Sequence, residues 1–358
     1  MITSYGWSER LQRDFQPFAA RGLVPARVIV QQRGLWRIAG GFGEAEARVS
    51  GRFAHEAPDG GYPVTGDWVA AEAAAGAALI HAVLPRRTVF ERREAGPTGG
   101  LQVLAANVDT ALLAASLNAD LNLRRLERYL ASAYQSGAEP VVVLTKADLC
   151  GDVAAALAAV QAVAPGVPVL PVSAASGDGL AALEALLSPG ETAVLLGSSG
   201  VGKSTLVNAL AGAALMDTQA IREGDARGRH TTTHRELIRL PSGALILDTP
   251  GMRELGLWDA AAGVGQVFAD VAAEVTALAE GCRFRDCAHE REPGCAVRAA
   301  LADGRLDEAR WRSFRKLGRE LAHEVRRQDP VAREAERKRW IAIHKSARTH
   351  MRDKRRFE

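Results

Sequence analysis

Ala193-Val194-Leu195-Leu196-Gly197-Ser198-Ser199-Gly200-Val201-Gly202-Lys203-Ser204-Thr205 decides the fold of this chain. Its centre matches G-x-x-x-x-G-K-[ST] at every position. The four apolar residues before it are bounded by turn formers and predict a buried strand. Leu206-Val207-Asn208-Ala209-Leu210 after it predicts a helix. A strand, a glycine-rich turn and a helix N-terminus together aim backbone N–H groups and positive potential at phosphate oxygens. Within the motif, Lys203 is placed to reach the β- and γ-phosphates and Ser204 to ligate Mg²⁺. A chance glycine-rich turn would need neither the strand nor the helix.

Val141-Val142-Val143-Leu144 predicts a second buried strand, of parallel-sheet type, ending in Thr145-Lys146-Ala147-Asp148. The Asp148 carboxylate can accept from guanine N1–H and from the 2-amino group. Adenine offers neither donor there, so a carboxylate at this place selects guanine. The Lys146 stem can lie over the base. Asn is usual where Thr145 stands, so a weaker tie from this loop to the phosphate loop is expected. Val172-Ser173-Ala174-Ala175 repeats the pattern of a strand end followed by small residues. In GTP-binding domains such a segment offers a backbone N–H to the guanine carbonyl, which nominates Ser173 and Ala174.

Downstream, Ala244-Leu245-Ile246-Leu247 predicts a strand running into Asp248-Thr249-Pro250-Gly251. Asp248 is suited to hold Mg²⁺ through water and the Gly251 N–H to meet a γ-phosphate. Gly228-Arg229-His230-Thr231-Thr232-Thr233 precedes a strand expected at Glu236–Leu240. Thr232 is the favoured Mg²⁺ ligand of this run, with Thr231 and Thr233 as close alternatives. Met252 occupies the place where many small GTPases carry the water-orienting Gln. A thioether cannot orient water, so His230 becomes the candidate for that role beside Lys203. The plainer alternative is a solvated His230.

Cys282, Cys287, His289 and Cys295 form a C-x4-C-x-H-x5-C cluster. Three thiols and an imidazole suit tetrahedral Zn²⁺ and leave no open coordination position, which marks a structural metal. Free core cysteines beside a surface histidine are the alternative. Cys150 stands apart as an ordinary thiol.

Chain-wide properties set the frame. The 358 residues suggest two or three domains, and a hydrophobic content of 47% supports real cores. Four cysteines in this length argue against a disulfide scaffold. No secretory leader and no membrane span is expected. From Cys282 onward the chain carries 22 Lys and Arg against 13 Asp and Glu, so the rest of a chain of net charge +3 is acidic. Basic charge gathered at one end suits a nucleic-acid contact. Arg333–Arg356 is the densest stretch, with Trp340 available to stack on a base; a solvated helix face is the alternative. Trp311, Phe314, Leu317, Leu321 and Val325 recur at helical spacing and predict a core-facing stripe.

The guanine motif preceding the phosphate loop inverts the usual order. With Thr145–Asp148, Gly197–Thr205, Gly228–Thr233, Asp248–Gly251 and the cysteine cluster in that order, the chain resembles the circularly permuted GTPases, most closely the small-ribosomal-subunit-dependent GTPases of bacteria. The resemblance runs from about Pro25 to the basic tail. It implies an oligonucleotide-binding type barrel over residues 1–94, a permuted α/β GTPase domain over 95–260 and a helical zinc-binding domain with a basic tail over 261–358. It also implies GTP/GDP, Mg²⁺ and one structural Zn²⁺ as cofactors. The small subunit and its rRNA would be the partners of a cytoplasmic protein, here expected to be a monomer. Short strands at Arg27–Val30, Leu35–Ile38, Ala45–Phe53, Asp67–Glu72 and Ala78–Leu84 suit such a barrel, although a generic barrel would read the same way. Ala95–Gly100 is the expected linker, and Ser188-Pro189-Gly190 the join created by the permutation. A nucleotide-gated binding switch and a metal-stabilised RNA module with GTP as a structural ligand are the rival functions.

Overall fold

The computed structural model describes residues 2–32, 34–58, 60–74, 76–93, 101–118, 121–216, 235–248 and 261–328. Contacts divide the chain into two units, Met1–Gly256 and Leu257–Glu358.

The first unit begins with helix α1 (Glu9–Ala19), which Ser8 caps by accepting from the Leu11 N–H. Its apolar face, with Leu11, Phe15 and Phe18, packs with Trp7 against Trp68, Ala70 and Leu84. Five strands follow: β1 (Val24–Gln32), β2 (Leu35–Gly40), β3 (Gly43–Val49), β4 (Trp68–Ala74) and β5 (Ala77–Val83). They pair in the order β1-β2-β3-β5-β4, and β4 returns to β1, so the barrel is closed. Only β3 with β5 is parallel. The inward residues Ala26, Val28, Trp36, Ile38, Ala45, Ala47, Val69, Ala71, Ala78 and Ile80 form one core, with alanine on several facing strands so that the small barrel can close.

The third strand stops short of the expected Phe53. Ser50 accepts from the Phe53 N–H and caps helix α2 (Gly51–Glu56). A helix cap inside an alternating polar–apolar segment thus wins over strand continuation.

Past the barrel, β6 (Val89–Arg93) and β7 (Leu101–Ala106) pair as an antiparallel hairpin. The expected linker Ala95–Gly100 lies outside the described residues. Then come β8 (Thr110–Ser116), α3 (Leu123–Ser136), β9 (Glu139–Thr145), α4 (Val153–Val163), β10 (Val169–Val172), α5 (Leu180–Ala185), β11 (Thr192–Leu196), α6 (Lys203–Ala211), β12 (Arg235–Arg239) and β13 (Leu245–Asp248). The sheet order is β10-β9-β8-β11-β13-β12. The first five of these are parallel and β12 runs antiparallel to β13. Residues such as Leu112, Val143, Val194 and Ile246 are fully buried, as strands covered on both faces require. Leu183 of α5 and Leu206 and Leu210 of α6 close over one face with Leu112, Val143 and Ile246. Because the parallel strands share a direction, all their C-terminal ends open on one edge, where ligands bind in such sheets. Moving the chain start therefore leaves that edge intact.

The Ser188–Gly190 segment is a tight link into β11. The Gly190 N–H donates to Gly243 O at 2.8 Å. Gly6 comes so close to it that a Cβ there would lie 2.4 Å from Gly190 O, and its φ of +86° also favours glycine. Buried Arg27 ties this region together. Its guanidinium donates to Gly66 O (3.2 Å), Asn107 O (3.1 Å), Thr192 Oγ1 (2.8 Å) and Tyr5 O, and it lies over the Trp68 ring. Burial pulls its pKa down to about 9. Finally, β12 pairs with β1, making the barrel and the GTPase strands one continuous sheet.

The second unit holds α7 (Ala261–Val267), α8 (Ala269–Ala279), α9 (Ala296–Ala302) and α10 (Glu308–Gln328). Trp311 and Leu317 of the predicted stripe are buried, and Phe314 meets Phe268 with centroids 5.5 Å apart. Leu321 is half-buried. The Val325 side chain lies outside the described residues. Arg310 binds both Asp270 oxygens, at 2.8 and 2.9 Å, and Val267 O at 3.1 Å, joining α10 to the α7–α8 corner. Among the described residues no single helix is long and apolar enough to cross a membrane.

Candidate functional site

β11 delivers the phosphate loop and α6 begins at Lys203. One close approach and one left-handed turn shape the loop. A Cβ at Gly197 would lie 2.7 Å from Ala114 O of β8, and Gly202 turns at φ +100° to start the helix. Val201 is buried and roots the loop in the core. The Lys203 ammonium donates to Gly197 O at 2.8 Å and to Ser198 O at 2.7 Å, so it stays over the loop. Ser198 and Gly200 are half-buried and Ser199 exposed; Ser204, half-buried, and Thr205, exposed, occupy the first turn of α6. The backbone donors of that turn face the same edge of the sheet.

Two strands away, Thr145 ends β9. Its hydroxyl donates to Val201 O at 2.6 Å, with Ala115 O at 3.4 Å. The tie expected to be weak is thus short, and Thr145 is buried. A hydroxyl reaches the carbonyl because β8 and β9 are adjacent and the loop curls back over them. Lys146 turns through the left-handed region (φ 57°), and its ammonium donates to Gly200 O at 2.9 Å. Ala147 and Asp148 follow in a 3-10 turn, with Asp148 exposed. The Thr145–Asp148 segment and the glycine-rich loop are therefore joined by two hydrogen bonds.

Val172 is the sheet partner of Thr145, which sets Ser173 beside Lys146 at the same edge. Ser173 is buried, and its N–H donates to Asp178 O at 2.9 Å; its hydroxyl accepts from the Ser176 N–H at 3.2 Å. This closed loop presents half-exposed Ala174 at its start. Asp248 ends β13 next to the phosphate strand. The Asp248 side chain, His230, Thr232, Gly251 and Met252 lie outside the described residues. The structure thus gathers Thr145–Asp148, Ser173–Ala174, Gly197–Thr205 and the end of the Asp248 strand at one edge. Sequence reasoning missed Ala114, whose carbonyl demands glycine at position 197. Its only signal was the apolar run Thr110–Leu117.

The cysteine cluster forms a separate site in the second unit. The donor atoms of Cys282, Cys287, His289 and Cys295 lie within 4.8 Å of one another. Cys282 Sγ is 3.9 Å from Cys295 Sγ and 3.6 Å from His289 Nδ1, and Cys295 Sγ is 3.5 Å from that nitrogen. A tetrahedral zinc with ordinary bond lengths has S–S and S–N edges of about 3.8 and 3.6 Å. The donor set fits such an ion. Hydrogen bonds from the loop backbone to Glu292 add to its fixation. The Glu292 carboxylate accepts from the N–H groups of Ala288, Glu290 and Arg291. Its own backbone N–H first, then those of Arg291, Glu290 and Ala288, lower its pKa to about 2. Cys295 also caps α9 by accepting from the Arg298 N–H.

Comparison with known proteins agrees with this geometry. The family model described as RsgA GTPase matches residues 83–258. A small ribosomal subunit biogenesis GTPase RsgA from Opitutus terrae is 50% identical, with 100% of both chains covered. YjeQ from Thermotoga maritima superposes with a TM-score of 0.59 at 22% identity, covering 84% of this chain and 99% of that one. YloQ, described as a circularly permuted GTPase, gives a TM-score of 0.58 at 24% identity over 84% of this chain and 96% of its own. These two show the shared fold, and the full-length identity shows the kinship: the chain belongs to the RsgA family of circularly permuted GTP hydrolases.

Proposed function

We propose that this chain hydrolyses GTP to GDP and phosphate while bound to the small ribosomal subunit, late in that subunit's maturation, and leaves after hydrolysis. The observation that carries the reading is the pair of bonds from Thr145 and Lys146 to Val201 and Gly200, which joins a guanine reader to a phosphate loop. The name of the Opitutus terrae relative supports the ribosomal partner.

In this reading Asp148 selects guanine, with Ala147 completing its turn and Ser173 and Ala174 bounding the base pocket. The backbone of Gly197–Thr205 cradles the phosphates, and Lys203 offsets the charge that develops on them. Ser204 and Thr232 hold Mg²⁺, with Asp248 behind a water. The Gly251 N–H senses the γ-phosphate. His230 orients the attacking water once the subunit has ordered the site. The ion at Cys282, Cys287, His289 and Cys295 is a structural zinc. Arg333–Arg356 contacts rRNA phosphates, and the protein works as a cytoplasmic monomer. We keep 1–94, 95–260 and 261–358 as its functional divisions. GTP turnover compared with and without purified small subunits tests the reading.

A further inference from the structure

Strand β1 changes partner along its length. Val24–Arg27 pair with β4 and close the barrel, whereas Val30 and Gln31 pair with Glu236 and Arg235 of β12. The β1–β2 register shifts between Val28 and Val30, so a bulge marks the handover. Bulges bend and twist a strand, which lets one strand serve two sheets.

On its other side, Glu236 is the partner of Asp248. Val30, Glu236 and Asp248 therefore stand in one row across three strands. At the usual strand spacing the end of β13 lies about 10 Å from the barrel strand. Side chains reinforce this row. The fully buried Thr65, in the loop before β4, donates its hydroxyl to Arg235 O at 3.2 Å. Arg235 donates to Gln31 Oε1 at 3.2 Å and to Val103 O of β7 at 3.4 Å. Arg37 of β2 meets Glu236 at 3.1 Å, with Glu44 at 3.7 Å.

We propose that the barrel is a positioning element of the hydrolytic site: Thr65, Gln31 and Arg37 fix the Arg235–Glu236 end of β12 and, through the shared row, the height of Asp248. A slip of one residue in a strand turns every side chain to the other face, so register at this row decides which face of the sheet position 248 serves. Strand β12 is five residues long, and barrel groups hold its first two. A barrel that only carried a binding surface would need no such clamp. The coupling is reciprocal, so a ligand that shifts the barrel shifts the metal-holding strand, and the converse holds. The inference rests on the reading of Asp248 as a Mg²⁺ partner.

The test compares Thr65→Val with Thr65→Ser in the full chain, reading GTP turnover at saturating GTP and GDP affinity side by side. Loss of the hydroxyl is expected to lower kcat about fivefold or more, since small misplacements of catalytic groups cost rate steeply. GDP affinity should hold within about twofold, because the γ-phosphate side is the one displaced. Thr65→Ser keeps the donor and should keep the rate. Arg37→Glu should also slow turnover, and R37E combined with E236R should restore most of it. Parent-like turnover in Thr65→Val, or a parallel loss of GDP affinity, overturns the proposal; the second outcome means general loosening. If the parent chain hydrolyses no GTP with or without small subunits, the proposed function fails instead. The clamp is then judged by amide exchange across Glu236–Arg239 and Leu245–Asp248. Faster exchange in Thr65→Val supports it and unchanged exchange overturns it.

Discussion

The Thr145 hydroxyl donates a 2.6 Å hydrogen bond to the Val201 carbonyl, crossing from the end of β9 to the glycine-rich loop after β11. Both groups are buried, so the bond is made away from competing water. Thr145→Val removes the donor and leaves the carbonyl unpaired, a cost of about 1–3 kcal/mol. Nucleotide affinity should fall roughly tenfold to a hundredfold if that cost falls on the bound state. Titration with GDP measures it. Unchanged affinity would mean that the two loops are fixed independently of this bond.

Asp148 stands exposed on its turn with a left-handed Lys146 before it. Asp148→Asn replaces one acceptor by a donor while preserving shape. GTP affinity should drop, and affinity for xanthosine triphosphate should rise, because xanthine presents a carbonyl where guanine presents its amino group. Competition titrations with both nucleotides check the swap. Equal GTP binding by parent and variant would show that this carboxylate does not read the base.

Arg27 is predicted to be the costliest single loss in the first unit. Its guanidinium serves acceptors from the N-terminal segment, the barrel, the β7–β8 turn and the phosphate strand. Arg27→Met should destabilise the first unit by several kcal/mol, at about 1–3 kcal/mol for each buried acceptor left unpaired. Urea unfolding reads the change in midpoint. A shift below about 0.5 kcal/mol, ordinary for a surface substitution, would place the network's energy elsewhere.

How much of this was legible in the sequence follows from which contacts are local. Strands β9, β11 and β13 are short apolar runs ending in motifs, so their type and order can be read directly. The cysteine spacing carries its own ligand geometry. Helix α1 is obscured by the internal Pro17 and a charged outer face. Strand β3 was expected to run on through Phe53 because Phe53 is apolar, although Ser50 is a helix cap. The β1–β12 pairing joins residues about two hundred positions apart and leaves no local pattern. The same is true of the Ala114–Gly197 approach.

The Cys282–Cys295 donor cluster should be separable from nucleotide binding. Cys287→Ala, or a strong chelator, removes one of four donors or the ion itself. Loss of metal is expected to loosen residues 282–295, seen as faster amide exchange, while GDP affinity stays within about twofold, because structural zinc contributes folding energy locally. Elemental analysis of freshly purified protein should give about one zinc per chain for a single four-donor site. A content well below that, or a parallel loss of GDP affinity, would contradict a separate structural zinc.

The most direct measurement is single-turnover GTP hydrolysis with and without saturating small ribosomal subunits, run on the parent chain and on His230→Ala. Without the water-orienting Gln, the isolated chain should be slow, and the subunit should accelerate it by about a hundredfold or more, the scale of one well-placed acid–base group. His230→Ala should bind GTP normally and lose most of that acceleration, as removal of a water-orienting group predicts. Equal rates with and without subunits in the parent chain would contradict a hydrolase whose site is completed on the ribosome.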